Sequence, residues 1–221
     1  VNPVDDAPVA AADTATTAEE TAVTIDVLAN DTDVDGPALT IKSASVDPTQ
    51  GTVSIVAGQL VFTPATDFTG TATISYVSTD GSADSAPTTV TIGVTPINDA
   101  PVAANGSITV AEESTGTSLG LSAPTDADNN TLTITVTGLP TLGTVTKADG
   151  SAISNGDALT AAELTGLVYN APANYNGTDA VGTFTYSVND GQSAANSVVT
   201  GTVTIGVTPI NDAPVAANGS I

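Results

Sequence analysis

A long internal repeat constrains the architecture of this chain more than any other feature. Residues 89–108 read TVTIGVTPINDAPVAANGSI, and residues 202–221 repeat them letter for letter, 113 positions later. The opening VNPVDDAPVA also aligns with VTPINDAPVA at 94–103. Self-similarity of this kind is the signature of tandem units. The predicted units are a first repeat at 1–98, a longer second repeat at 99–211, and the start of a following repeat at 212–221.

Both predicted repeats are rich in β-strand. Apolar residues alternate with Thr, Ser or Asp, and this period of two predicts strands with one buried face. Turn signals such as Asp35-Gly36-Pro37 and Asp80-Gly81 separate the runs. About seven short strands in roughly 100 residues fit a β-sandwich of immunoglobulin size. The alternating positions are Val23/Ile25/Val27, Leu39/Ile41, Val53/Ile55, Ile74/Tyr76, Val90/Ile92/Val94, Leu132/Ile134/Val136, Phe184/Tyr186/Val188 and Val203/Ile205/Val207.

The second repeat is 20 residues longer than the first, and the extra length falls around 147–168. Within it, Thr160-Ala161-Ala162-Glu163 is a capping box and Gly166 is a stop signal, so we predict one short helix there. We interpret the segment as a surface insertion between strands, in preference to a lid over a ligand.

The charge of the chain argues against several classes of partner. It has 24 acidic and 2 basic side chains, no His and no Cys, which gives a formal net charge of −22. Two lysines cannot neutralise several phosphates, so we expect no nucleic-acid binding. Anionic membrane surfaces would repel the chain. The sequence lacks a run of about 18 apolar residues, so we expect no membrane insertion. The absence of His and Cys excludes thiol chemistry, disulfides and ordinary zinc sites.

The acidic side chains gather at recurring places in both repeats. Two carboxylates about 4 Å apart repel by roughly 4 kcal/mol at an effective dielectric near 20, and almost no Lys or Arg is available to pair with them. A divalent ion that takes six to eight oxygens is the natural counter-charge, which favours calcium. The alternative is a set of acidic loops on a soluble or halotolerant surface. The clusters are Asp5/Asp6, Asn98/Asp99 and Asn211/Asp212; Glu19/Glu20 and Glu112/Glu113; Asp31/Asp33/Asp35 and Asp126/Asp128/Asn130; and Asp80 and Asp190.

One of these loops matches the first half of an EF-hand. The segment Asp31-x-Asp33-x-Asp35-Gly36 has the right spacing, but the twelfth position is Lys42 where a bidentate Glu is required. No helices are expected on either side, so we reject an EF-hand. In the second repeat we align Asn130 with the third Asp of this loop.

The order of these elements resembles a known family. A linker Asn-Asp-Ala-Pro, then Glu, then Asp-x-Asp, then Val-x-Asp-Gly resembles cadherin repeats, and above all the bacterial cadherin-like or immunoglobulin-like tandem repeats in the extender region of large RTX-type surface adhesins. The phrases at 13–36 and 60–81 are typical of those repeats, and 160–172 is similar to a longer variety. The resemblance covers essentially the whole chain. It implies an all-β fold with two tandem immunoglobulin/cadherin-like β-sandwich domains in an extended rod.

The resemblance also implies which residues would hold Ca²⁺ at the junctions between repeats. The chain lacks the Leu-Asp-Arg-Glu motif of animal cadherins, and Asp67 lies nearby at a different spacing, so we expect one or two ions per linker. The implied ligands at the central junction are Glu19, Glu20, Asn98, Asp99, Asp126, Asp128, Asn130 and Asp190. Those towards a preceding repeat are Asp5, Asp6, Asp33, Asp35 and Asp80, and those towards a following repeat are Glu112, Glu113, Asn211 and Asp212.

The function implied by the resemblance is that of a calcium-rigidified spacer outside a bacterial cell, which projects a ligand-binding tip. Its partners would be neighbouring repeats of the same chain, and we expect a monomer. One alternative is a carbohydrate-binding module, for which Tyr169 and Tyr175 are the candidate platforms, since Phe62, Tyr76, Phe184 and Tyr186 lie on predicted strands. An enzyme is a further alternative, but a carboxylate-pair hydrolase needs one unique cleft and these acids recur at domain ends.

Overall fold

The computed structural model describes residues 5–36, 38–177 and 181–213. It contains two compact units that divide between Ile97 and Asn98. Of the expected start of a further repeat at 212–221, only residues 212 and 213 are described, so this expectation stays a prediction.

The first unit is a sandwich of two β-sheets. One sheet has the strand order β1-β7-β6-β3 and the other has the order β2-β5-β4. Strand β1 runs parallel to β7, and the remaining strand pairs are antiparallel. The core lies between the sheets, where Phe62 of one sheet and Ile74 and Ile92 of the other are fully buried. The strands are β1 Asp13–Ala18, β2 Val23–Ile25, β3 Thr40–Val46, β4 Gly51–Val56, β5 Gln59–Pro64, β6 Gly70–Thr79 and β7 Thr88–Thr95.

The second unit repeats this plan with additions. Its larger sheet has the order β12-β10-β14-β15-β8, and its smaller sheet has the order β11-β13-β9. Strand β8 runs parallel to β15, as β1 does to β7 in the first unit. The elements are β8 Gly106–Ala111, β9 Thr117–Ser118, β10 Thr133–Gly138, β11 Thr144–Thr146, β12 Ala158–Leu159, α1 Ala161–Thr165, β13 Val168–Asn170, β14 Thr183–Asn189 and β15 Val198–Thr208.

The prediction of two immunoglobulin-like β-sandwiches is confirmed. The alternating positions of β6, β7, β14 and β15 face the two cores, and the four aromatic residues expected there, Phe62, Tyr76, Phe184 and Tyr186, are at most 1% exposed. Val27 is buried as expected but lies just beyond β2 rather than on it. The alternation did not predict β1 and β8, whose sequences DTATTA and GSITVA are built largely from small residues.

The segment at 147–168 is in part the surface insertion that we expected, because most of its residues are exposed, but it also contributes to the sheet and the core. Strand β12 pairs with β10 at the edge of the larger sheet. Leu164 and Leu167 are completely buried and belong to the core of the second unit. The extra residues therefore extend the hydrophobic core, because their apolar side chains face inward across a short helix and strand.

Helix α1 itself forms as predicted. Thr160 is its N-cap, the Thr160 side chain and Glu163 make a reciprocal capping box, and Gly166 ends the helix. The Glu163 carboxylate also contacts the Lys147 Nζ at 2.7 Å. The hydrogen bond from Lys147, followed by those from Thr160, lowers the pKa of Glu163 to about 2.

Acid titration should reveal this capping interaction. A carboxyl with a lowered folded-state pKa contributes stability above its unfolded pKa and loses that contribution as the pH falls through its folded pKa. We expect the Glu163 carboxyl to titrate with a midpoint near pH 2 by NMR, and the substitution Lys147→Gln to raise the midpoint. A wild-type midpoint near the usual 4.5 would contradict the observed contacts.

The strand directions place two groups of acids at opposite ends of the first unit. Strand β6 pairs with β7 so that Gly70 faces Val94 and Tyr76 faces Thr88. Asp80, which follows β6, therefore lies at the end opposite to Thr95. Because β1 is parallel to β7 and Ala18 pairs with Thr95, Glu19 lies at the Thr95 end. The equivalent pairings separate Asp190 from Glu112 in the second unit.

Candidate metal centres at the unit ends

We call the end of each unit at which the incoming chain arrives its entry end, and the opposite end its exit end. The entry end of the first unit, which carries Asp80, gathers several carboxylates on two turns. The backbone N–H of Asp6 donates to Asp35 Oδ2 at 2.7 Å, which ties the incoming chain to the acidic loop. Asp33 Oδ1 accepts the N–H groups of Asp35 and Gly36 at 2.8 and 3.2 Å. Asp80 Oδ1 accepts two N–H groups of its own turn, at 2.7 and 2.8 Å.

The second oxygens of two of these carboxylates have no hydrogen-bond partner. Asp33 Oδ2 and Asp80 Oδ2 are both buried and unpartnered. Burial, followed by the charges of Asp80 and Asp35, raises the pKa of Asp5 beside them. Desolvated carboxylate oxygens are costly without a partner, and a hard cation with oxygen ligands would satisfy them. At the entry end, Oδ1 of Asp33 and of Asp80 therefore accepts backbone hydrogen bonds, and Oδ2 of each is an oxygen of the kind that calcium prefers as a ligand.

The entry end of the second unit repeats this arrangement. The N–H of Asp99 donates to Asp128 Oδ2 at 2.9 Å, as that of Asp6 does to Asp35. Asp126 Oδ1 accepts the N–H of Asn130 at 3.1 Å, whereas Asp126 Oδ2 is buried without a partner. Carboxylate oxygens of Asp99 and Asp128 lie within 4.8 Å of each other. Because the same arrangement of carboxylate oxygens recurs in both units, the two entry ends are candidates for the same kind of cation site.

Asn98 distinguishes the second entry end from the first, because it stands where the first unit has Asp5. Its Nδ2 donates to Asp190 Oδ2 at 2.9 Å, and Gln192 N donates to Asp190 Oδ1 at 2.8 Å. Burial alone would raise the pKa of Asp190, which is 3% exposed, but these donors lower it. The second entry end therefore carries one carboxylate fewer and more internal hydrogen bonds than the first.

The structure corrects our alignment of the two acidic loops. Isolated bridges join Val9 to Thr32 and Val102 to Thr125, so these threonines are equivalent. Asp33 and Asp35 therefore correspond to Asp126 and Asp128, and the alignment of Asn130 with Asp35 was wrong. The Asn130 side-chain oxygen accepts a hydrogen bond from Gln192 Nε2 at 3.1 Å.

Asp31, which we grouped with the acidic loop, shares a buried and unpartnered Oδ2 with Asp33 but differs from it at Oδ1. Its Oδ1 accepts from Ala11 N at 2.8 Å and from the buried Tyr76 hydroxyl at 3.0 Å. Burial and the nearby charge of Asp31 raise the pKa of Asp13, which also contacts this hydroxyl. The second unit has Pro124 at the position of Asp31. This acid therefore supports the core of the first unit rather than its end.

At the exit ends, one glutamate of each adjacent pair is buried. Glu19 and Glu112 are each 2% exposed. Their N–H groups donate to Thr95 O and Thr208 O, both at 2.9 Å. Glu19 Oε1 accepts from Ile97 N and Glu112 Oε1 from Ile210 N, both at 2.6 Å, and Glu112 Oε2 also accepts from Tyr175 N. Each buried glutamate thus holds the start of the outgoing linker against its own unit.

The second glutamate of each pair is exposed and has a positive φ, 58° for Glu20 and 63° for Glu113. In the first unit, carboxylate oxygens of Glu20 and Asp67 lie within 4.8 Å of each other. Our sequence reasoning set Asp67 aside because its spacing differs from that of animal cadherins. Alignment of FTPATDFTG with YNAPANYNG would have paired it with Asn174, and both residues have a positive φ near 55°.

The last pair of predicted ligands lies in the outgoing linker of the second unit. Asn211 Nδ2 donates to Asp212 O at 3.3 Å, as Asn98 Nδ2 does to Asp99 O at 3.1 Å. The two linker phrases therefore share this local hydrogen bond.

The aromatic residues do not support a carbohydrate platform. Tyr169 is completely buried and its hydroxyl donates to Leu142 O at 2.9 Å, so its proposed role as a sugar platform was wrong. Tyr175 is half-buried and packs against the core of the second unit. All seven aromatic side chains are buried or half-buried, because each one fills a sandwich core or its margin.

The family model of the bacterial Ig domain matches residues 5–93 and, as a second copy, residues 98–206. The chain belongs to the bacterial Ig-domain family. No curated protein matches it significantly. No helix of the two bacterial Ig domains, within the described residues, is long and apolar enough to cross a membrane.

Several solved structures resemble the pair of bacterial Ig domains. Human mucin-like protocadherin EC1-2 is 18% identical, with a TM-score of 0.48, over 92% of this chain and 98% of that one. Drosophila N-cadherin EC1-4 is 14% identical, with a TM-score of 0.48, over 92% and 50%. The endo-fucoidan hydrolase MfFcnA4 from glycoside hydrolase family 107 is 19% identical, with a TM-score of 0.39, over 96% and 30%.

Proposed function

We propose that the two bacterial Ig domains are spacer repeats in the extender region of a large RTX-type bacterial surface adhesin. There they project a ligand-binding tip from the cell for adhesion or biofilm formation. The chain is extracellular and monomeric, its partners are neighbouring repeats, and it has no enzymatic role. Two domains of one family in tandem support this proposal. In each domain the chain enters at one end and leaves at the opposite end, as a spacer requires.

Calcium is the proposed stiffening agent of this spacer. The observation that carries this claim is the pair of equivalent oxygens, Asp33 Oδ2 and Asp126 Oδ2, which are buried and unpartnered at the entry ends of both units. Calcium takes six to eight oxygen ligands in flexible geometry, which suits carboxylates spread over turns. The proposed ligands include Asp67 in addition to the set predicted from sequence.

The lysines of the chain leave most of these end carboxylates uncompensated. Lys42 contacts Asp84, and Lys147 contacts Glu163. Asp84 forms a β-bridge with Thr79 beside Asp80, so Lys42 compensates one acid at the first entry end. No basic side chain is left for Asp33 or Asp80. The end carboxylates therefore repel one another unless a cation from solution neutralises them. Calcium bound to a linker and to the acids on either side of it would convert a flexible hinge into a stiff joint.

The substitution Asp33→Asn tests calcium ligation at the first entry end. The amide oxygen keeps the acceptor for the N–H groups of Asp35 and Gly36, while one repelling charge is lost. We expect the variant to be at least as stable as the wild type in EDTA and less stable than the wild type in calcium. The measurement is thermal unfolding of both proteins under the two conditions.

Asp47→Asn is the matched control, because it removes the same charge from an exposed turn where Asp47 accepts from Thr49. This variant should keep the full calcium response. An Asp33→Asn protein that gains as much stability from calcium as the control would contradict ligation by Asp33.

Small-angle scattering tests the spacer role separately. We expect the maximum dimension of the intact chain to be larger in calcium than in EDTA. Equal dimensions under both conditions would remove the stiffening role, even if calcium binds.

A further inference from the structure

The last strands of the two units contain the same seven residues. Residues 89–95 of β7 and 202–208 of β15 both read TVTIGVT. Their buried residues correspond, with Val90, Ile92 and Val94 in one unit and Val203, Ile205 and Val207 in the other. Each strand lies between a parallel and an antiparallel neighbour. Within these seven residues, the sequence of a strand therefore does not determine whether it belongs in the first unit or the second.

The environment of a shared glycine confirms how similar the two places are. Gly93 pairs with Thr16 of β1, and Gly206 pairs with Thr109 of β8. A Cβ at either glycine would meet the threonine side chain, at 3.6 Å for Gly93 and 3.2 Å for Gly206. Strands β1 and β8 therefore make equivalent contacts with the two last strands.

The residue just before the identical stretch differs. It is Thr88 in β7 and Gly201 in β15, and each lies opposite the core tyrosine of the neighbouring strand, Tyr76 or Tyr186. A Cβ at Gly201 would lie 2.3 Å from both Cε1 and Cζ of Tyr186. The ring of Tyr186 thus occupies the space that any other side chain at this position would need.

The two tyrosine hydroxyls share an equivalent carbonyl acceptor, but Tyr76 also contacts Asp31, where the second unit has Pro124. Tyr76 donates towards Ala11 O and Asp31 Oδ1, at 2.9 and 3.0 Å, and its ring leaves room for Thr88. Tyr186 donates to Ala104 O at 2.8 Å and lies across Gly201. The first unit therefore accepts a residue with a side chain opposite its tyrosine, whereas the second accepts glycine alone.

We infer that the Gly201–Tyr186 pair allows strand exchange between the two units in one direction only. Strand β15 fits between β1 and β6 of the first unit, but β7 is excluded from the second unit by the Cβ of Thr88. Misassembly and strand exchange are the characteristic failures of repeat proteins, and identical strands invite them. The first unit is consequently an acceptor for the last strand of a second unit, in the same chain or in a second copy, while the second unit rejects the strand of the first.

Cysteine pairs can report which strand fills each place, since the chain has no cysteine of its own. Thr73 faces Thr91 in the first unit, and Thr183 faces Thr204 in the second, all on the exposed surface. A disulfide between Thr73→Cys and Thr204→Cys forms only when β15 occupies the first unit. One between Thr91→Cys and Thr183→Cys forms only when β7 occupies the second.

The experiment refolds the full chain from denaturant under oxidising conditions and quantifies the crosslinked peptides by mass spectrometry. The correct pairs, Thr73→Cys with Thr91→Cys and Thr183→Cys with Thr204→Cys, establish that the disulfides form in folded units. We expect the crosslink that reports β15 in the first unit to exceed the one that reports β7 in the second.

Adding Thr88→Gly should raise the crosslink of β7 in the second unit by about tenfold, which corresponds to 1.4 kcal/mol, because the side chain that would meet the ring of Tyr186 is then absent. Thr88→Ala is the matched control, since it keeps the Cβ and should leave this crosslink unchanged. Equal yields with Gly and Ala, or equal yields of the two wrong pairs in the parent chain, would overturn the inference.

Discussion

The substitution Glu112→Ala is expected to lower the free energy of unfolding of the second unit by about 3–6 kcal/mol, because each of two hydrogen bonds to a buried charge contributes about 1.5–3 kcal/mol. Glu112 is 2% exposed, and its two oxygens accept the N–H groups of Ile210 and Tyr175. Truncation removes the charged acceptor from both groups at once. It also leaves a cavity at the point where the linker joins the unit.

Two other glutamates serve as controls for this prediction. Glu113→Ala removes the exposed neighbour and should change the unfolding free energy by no more than about 0.5 kcal/mol. Glu19→Ala is the equivalent truncation in the first unit. Denaturant unfolding in EDTA, followed by amide hydrogen exchange in each unit, separates these effects from any loss of bound calcium. A Glu112→Ala protein as stable as Glu113→Ala would show that the buried carboxylate does not hold the linker.

Calcium removal is the second change for which we expect a large effect. A ligand that binds only the folded state at 100 times its dissociation constant adds about 2.7 kcal/mol per site. For a domain of 60–100 residues, 1 kcal/mol corresponds to roughly 4–8 °C in melting temperature. We therefore expect chelation from saturating calcium to lower the melting temperature of each calcium-binding unit by about 10–20 °C.

Calorimetry in calcium, magnesium and EDTA tests this expectation. Magnesium demands near-ideal octahedral geometry and dehydrates reluctantly, so it should restore much less stability than calcium does. An increase of the same size from magnesium would indicate general charge screening. Identical melting in calcium and EDTA would exclude calcium as a stabiliser of either unit.

The fold was predictable from sequence because two strong signals agree. The 20-residue repeat indicated tandem units, and alternation at positions such as 74/76 and 90/92/94 identified the central strands. The capping box at Thr160 was sufficient to predict α1, since both of its hydrogen bonds are local. Strand β1 escaped notice because a parallel edge strand of small residues has no large apolar face to display.

The acidic loops show what a local pattern cannot resolve. An Asp-x-Asp motif looks the same after a shift of two residues, so sequence alone aligned Asp31 with Asp126. The bridge between Val9 and Thr32 fixes the correct register, and that bridge depends on the tertiary fold. The same limit applies to Tyr169, whose burial is set by the packing of the elements around it.

Adjacent acids also differ in ways that composition does not reveal. Glu19 is buried and Glu20 is exposed, although the two are neighbours at the end of β1. The carboxylate of Glu19 accepts the N–H of Ile97 at 2.6 Å, and Glu20 has a positive φ. Sequence reasoning named both residues as ligands, and it could not assign one to support the linker and the other to face solvent.

Calorimetric titration of calcium into the intact chain tests the central claim most directly, with the triple variant Asp33→Asn, Asp80→Asn and Asp126→Asn as the comparison. These substitutions neutralise three of the four carboxylates, among the described residues, whose second oxygens are buried without a partner; the fourth is Asp31, which also accepts from the Tyr76 hydroxyl. We predict saturable calcium binding to the wild type and affinity weakened by at least about tenfold in the variant, since tenfold corresponds to 1.4 kcal/mol. No binding to the wild type, or the same isotherm for both proteins, would contradict the assignment of these ends as calcium sites.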